Sequence, residues 1–105
     1  MITAGSGKYR VWLSEERLSD ERIYILGGGE RDHIGGVVLK EPGKPARTMR
    51  LQGHYDHLVL KPIAEEAARR YNTKVVAVGG VHVDNATKEE IELLVKNCRE
   101  LIKCI

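Results

Sequence analysis

The sequence predicts an α+β domain: a mostly antiparallel sheet of about five strands with two helices on one face, in the order ββββαβα. Three observations carry this. The first half of the chain alternates apolar and polar residues with period two, punctuated by glycine and proline. The second half changes to helical spacing at Leu60, Ile63, Ala64, Ala67 and Tyr71, and again from Ile91 onward. Between these two runs, Val75, Val76, Ala77 and Val78 are apolar on both faces, the pattern of a central strand.

Taken in order, residues 1–7 read as a loose, flexible tail and residues 8–105 as a single domain. In residues 9–13, Tyr9, Val11 and Leu13 alternate with Arg10 and Trp12. Trp12 therefore faces away from the apolar side, as a second packing face or an interface anchor. Residues 14–21 read as a polar connection. Residues 22–26 form a strand that stops at Gly27-Gly28-Gly29, and residues 34–40 form another that Pro42-Gly43 ends. The basic stretch 40–47 reads as a solvated hairpin loop. Residues 47–52 alternate again, with Met49 and Leu51 expected to point inward.

Pro62 is tolerated in the first turn of a helix, which places the first helix start within residues 58–61. Glu65 with Arg69, and Glu66 with Arg70, form i,i+4 pairs on its polar side. Thr87-Lys88-Glu89-Glu90 is a capping box that opens the second helix. Ile91, Leu94, Val95, Cys98, Leu101, Ile102 and Ile105 then fall on one face.

Composition narrows the function classes. With 105 residues, 5% aromatics and no Phe, the core must be aliphatic, and its small size favours a homodimer. Seventeen basic and 15 acidic residues balance to +2, which argues against a nucleic-acid partner. No apolar run is long enough to span a membrane, and no signal peptide is visible. Cys98 and Cys104 are six apart on a helix, hence about 9 Å apart, too far to bridge. Reduced thiols point to the cytoplasm.

The chemistry concentrates in the four histidines. They occupy three short segments, each beside glycine and a carboxylate: Asp32-His33-Ile34-Gly35-Gly36, Gly53-His54-Tyr55-Asp56-His57, and Gly79-Gly80-Val81-His82-Val83-Asp84-Asn85. If the segments meet, they build one polar pocket, with His33, Gly35, His54, Asp56, His82, Asp84 and Asn85 as its candidates. The alternative is three turns, for which histidine, aspartate and glycine are all suited. His82 and Asp84 share one face at the end of an apolar strand, where α/β sheets deliver groups to a ligand crevice. Asp84 and Asn85 read equally well as turn-shaping residues. Asp56 reads at least as well as an N-cap, and His57 as helix-start packing. Arg31 and Asp32 read as exposed turn residues. Gly27, Gly28, Gly29 and Arg31 offer a weaker phosphate cradle that matches neither nucleotide-binding glycine motif.

No metal is expected, because the H-x-D spacing is loose. No serine lies in these segments and no nucleophile elbow exists, so no catalytic residue is assigned. Three function classes stay open: an accessory or chaperone protein, a small metal- or His/Asp-dependent enzyme, and an interaction module.

These residues resemble a known family. Residues 23–38, through Gly27-Gly28-Gly29 and His33-Ile34-Gly35-Gly36-Val37-Val38, are similar to the G-G…H-I-G-A-V-A segment of LpdD-like proteins. Gly53-His54-Tyr55-Asp56 is similar to a G-H-x-[DE] element. Residues 80–91 are similar to G-I-H-x-D-N-x-T-x-E-E-I, the most specific of the three. The resemblance spans about residues 9–103 and departs at Gly36, in place of alanine, and at Tyr55. It implies an accessory protein of UbiD-type aromatic acid decarboxylases and a chaperone for prenylated FMN, held transiently. It also implies a proteasome-assembly-chaperone-like fold that dimerises. Carried over, His33, Gly53, His54, Asp56, His82, Asp84 and Asn85 form the family's shared pocket or interface.

Overall fold

A computed structural model describes residues 1–53 and 55–105. Its elements are β1 (Ile2–Ala4), a 3-10 turn (Gly7–Tyr9), β2 (Val11–Leu18), β3 (Glu21–Gly28), β4 (Arg31–Lys40), β5 (Arg47–Arg50), α1 (His57–Tyr71), β6 (Val75–His82) and α2 (Lys88–Ile102). The class is α+β, as expected. The sheet has six strands in the order β1-β2-β3-β6-β4-β5. All neighbours are antiparallel except β3 and β6. The parallel pair follows from connectivity. The α1 crossover returns the chain between β3 and β4, and a strand antiparallel to β4 must there run parallel to β3.

Strand pairing sorts the side chains onto two faces. Val11, Leu13, Tyr24, Leu26, Val38, Val75 and Ala77 are buried on one of them. Leu60, Ile63, Ala64 and Ala67 of α1, with Leu94, Cys98 and Leu101 of α2, are buried in the same core. Each large aliphatic side chain removed from water contributes about 1.5–3 kcal/mol. The core is aliphatic apart from Tyr24, whose hydroxyl donates to Glu15 Oε2 at 3.2 Å.

Four details depart from the sequence expectation. Ile2–Ala4, within the expected tail, pairs with β2, and Ile2 and Ala4 pack against the core. The polar residues 14–18 continue β2, because their pairing with β3 runs out to Leu18 opposite Glu21. Met49 and Leu51 point outward, at 67% and 42% exposure. Met49 lies opposite Val37 on the helix-free face, so Thr48 and Arg50 take the helix side of this edge strand. Finally, α1 begins at His57, which puts Pro62 in its second turn. The carbonyl deprived of its partner belongs to the exposed Leu58, where water can satisfy it.

Candidate functional site

The end of β6 is where the local structure becomes irregular. Between the pairs Gly36↔Gly79 and Asp32↔Val81, β4 carries three residues against one on β6. This bulge re-aims His33 and brings Gly35 against Gly80. Gly79 has φ 123, and a Cβ there would strike the Leu26 carbonyl. Only glycine fits that passage.

Asp56 fills the space these glycines leave. A Cβ on Gly35 would collide with its Oδ2, and a Cβ on Gly80 would lie 2.7–2.9 Å from its carboxylate atoms. Asp56 stands directly before α1 but does not cap it. Its Oδ1 instead accepts the Val81 N–H at 2.9 Å, and its Oδ2 lies 3.4 Å from His33 Nε2. The side chain is 9% exposed. One carboxylate thus ties the start of α1 to both β4 and β6.

The two histidines lie close together, ring centroids 5.8 Å apart and edge to face. His33 Nε2 has two acceptors near it, Asp56 Oδ2 and the Val81 carbonyl at 3.3 Å. Both can accept a hydrogen bond from Nε2 in the tautomer that carries its proton there. His82 Nε2 contacts Asp84 Oδ1 at 2.7 Å and has Arg31 Nη2 at 3.4 Å. The carboxylate accepts from this nitrogen when it carries a proton, and the Arg31 N–H can donate to it when it does not. Asp84 is itself steadied by Glu30, whose Oε1 accepts the Asp84 N–H at 2.9 Å.

His33, Asp56 and His82 line one side of a cavity of about 290 Å³. The other walls are apolar: Leu58 and Val59 from α1, Val83, and Ile91, Leu94 and Val95 from α2. Tyr55 stands at its mouth, 63% exposed. Cys98 also lines it, and burial pushes its thiol up to about 12. In that form it contributes a neutral, apolar stretch of the wall.

The sequence candidates divide accordingly. His33, Asp56 and His82 meet at the cavity, Gly35 makes room for Asp56, and Asp84 reaches the site through His82. Asn85 forms the following turn with φ 51. His54 lies outside the described residues. The Gly28 N–H donates to Asp32 Oδ1 at 2.8 Å and the Gly29 N–H to the Arg10 carbonyl at 2.9 Å. These donors are committed within the chain, and the Trp12 ring covers Gly27. Arg31 lies beside His82 with Asp84 Oδ1 4.0 Å away. His57 Nδ1 is buried with no hydrogen-bond partner among the described residues.

Sequence reading missed two kinds of contributor. Asp32, expected to be a simple turn residue, binds both the Gly28 N–H and Trp12 Nε1. Ile91 and Val95 line the cavity, yet their helical spacing looks the same whether a helix face meets core or ligand. No group of three or more metal-ligating side chains occurs among the described residues.

Comparison with curated proteins finds no match for the chain. A family model described as the prenylated flavin chaperone LpdD-like domain matches residues 5–105. With nearly its whole length covered, and with the three glycine- and histidine-bearing segments inside that span, the chain belongs to the LpdD-like prenylated flavin chaperone family.

Proposed function

We propose that this chain is a non-catalytic carrier that holds prenylated FMN in the cavity between β6, α1 and α2 and delivers it to a UbiD-type decarboxylase. One observation carries the reading. His33, Asp56 and His82, from three separate segments, converge on one wall of a cavity that is otherwise apolar.

The residues present fit the group. A flavin ring system is flat and largely apolar, with a polar pyrimidine edge, and prenylation adds a further hydrocarbon ring. Leu58, Val59, Ile91 and Val95 suit the hydrocarbon part. The His33 and His82 imidazoles suit the polar edge, each offering a donor or an acceptor according to its protonation. Ligand pockets start at about 300 Å³. The cavity, at about 290 Å³, sits at that lower bound, so it would take the rings and leave the ribityl phosphate outside. The bound group supplies the chemistry of decarboxylation to the partner enzyme; this chain's residues only bind and shield it.

A homodimer through the open sheet face belongs to the same reading. Trp12, Ile23, Ile25, Val37, Val76 and Val78 lie half-buried on the face that carries no helix. Glu16 stands on the β2 side of this face and Arg47 on the β5 side. A dyad along the central β3–β6 pair would bring these opposite charges together. No helix among the described residues is long and apolar enough to cross a membrane. The free Cys98 and Cys104 suit a reducing compartment such as the cytoplasm.

The test is anaerobic titration with reduced prenylated FMN. Replacing His82 or His33 by alanine is expected to weaken binding about tenfold, the worth of one or two good hydrogen bonds. Equal affinity in wild type and both variants would contradict the pocket assignment.

A further inference from the structure

We infer that Arg99, on a groove that adjoins the cavity between α1 and α2, recognises the phosphate of the flavin nucleotide. This rests on the cavity being the flavin site. A flavin mononucleotide carries a phosphate dianion at the end of a flexible ribityl chain. With the rings filling the cavity, that chain has to lie outside it and meet a cation there.

The glycine turn and Arg31 are poorly placed for the task. Gly28 and Gly29 already spend their N–H groups on Asp32 and Arg10. Arg31 has Asp84 Oδ1 at 4.0 Å, with Glu30 bonded to the Asp84 backbone and Asp32 next in sequence. One arginine among three carboxylates makes a surface that repels a dianion.

The groove between the helices differs. It is a second cavity, of about 350 Å³. Leu58, Val59 and Val95 line both cavities, so the second begins where the first ends. Pro62, Arg99 and Ile102 complete it, and Arg99 alone among its described lining residues is charged. Arg99 lies one turn beyond Val95, about 6 Å along α2, within reach of an extended ribityl phosphate. Its side chain is exposed and makes no hydrogen bond or ion pair with the described residues. The carboxylates nearest by helical spacing are already neutralised: Glu100 pairs with Lys103 at 3.0 Å, and Glu66, one turn beyond Pro62, pairs with Arg69 and Arg70. An unpaired guanidinium offers the fork of N–H groups that grips phosphate with two bonds. Pro62 adds a second feature. Having no N–H, it leaves the Leu58 carbonyl without its helical donor, and both residues line the groove. That carbonyl is an acceptor for a ribityl hydroxyl. Arg99 also offsets the negative end of α2, a role that by itself would move stability and not ligand preference.

The experiment compares the phosphorylated and dephosphorylated forms of one ligand. Affinities are measured for reduced prenylated FMN and for the same compound after phosphatase treatment, with FMN and riboflavin as a second pair. Wild type is expected to prefer the phosphorylated member by about tenfold or more. Arg99→Ala should bring the two members of each pair to equal affinity. Arg99→Lys should restore part of the preference, and Arg31→Ala should keep it. Arg99 is exposed, so the substitution leaves the core intact, which circular dichroism checks. A preference that survives Arg99→Ala, or one lost in Arg31→Ala, overturns the assignment. Equal binding of both members by wild type also overturns it, while leaving the flavin reading in place. Failure of folded wild type to bind any of the four ligands overturns both.

Discussion

Asp56 occupies the N-cap position of α1, yet its carboxylate serves the sheet. The sequence favours the cap role at least as much as the pocket role, because both place an aspartate just before a helix. What separates them is the space over Gly35 and Gly80, a property of two other strands that no local pattern reveals. The histidines were easier to single out, since their clustering beside glycine is visible in the sequence itself. Two outcomes follow at this scale. Asp56→Ala strips the half-buried Val81 N–H of its acceptor and removes one of the acceptors beside His33 Nε2. It should cost about 1–3 kcal/mol in urea denaturation, the penalty of leaving such groups unsatisfied. Gly35→Ala should also destabilise, because its methyl and the Asp56 carboxylate claim the same volume. A Gly35→Ala protein as stable as wild type, with flavin binding intact, would show that the carboxylate is not seated there.

At the level of elements, α2 was the most legible part of the chain. Its capping box is closed in both directions: the Glu90 N–H donates to Thr87 Oγ1 at 3.2 Å, and the Thr87 N–H donates to Glu90 Oε1 at 2.9 Å. Thr87→Ala should cost about 1 kcal/mol in chemical denaturation. The Thr87 backbone, then the Tyr9 hydroxyl and Lys8, hold the Glu90 carboxyl down at about 2, below its ordinary 4.5. A depressed folded value means this stabilisation is complete above pH 4.5 and is lost as pH falls toward 2. Thermal melts of Glu90→Gln should accordingly lose less stability over that interval than wild type. Elements whose signals are non-local were harder to read. β1 is three residues long and exists through its pairing with β2. The residues after Leu13 look like a loop because both faces of that end of β2 are polar. The inward face of β5 was misassigned for a related reason: on an edge strand, alternation alone does not say which side carries the helices.

For the whole molecule, the helix-covered face and the cavity account for only part of the apolar surface. The open sheet face, with Ile25 between Ser14 and Val78 at its centre, is the counterpart that a second copy would cover. Sedimentation should give a dimer whose population falls on dilution, and Ile25→Glu should give a folded monomer. A wild-type monomer at all concentrations would remove the dimer from the account. The α+β class was legible because periodicity changes from two to 3.6 at mid-chain, whereas the parallel β3–β6 pair depends on where the α1 crossover lands. Native mass spectrometry reads out directly the proposal that the three histidine-bearing segments build a site for prenylated flavin. Wild type incubated anaerobically with reduced prenylated FMN should carry one flavin per chain, with less on plain FMN and a sharply reduced adduct in His82→Ala. A spectrum with no flavin on wild type, or with an adduct indifferent to His82, would contradict it.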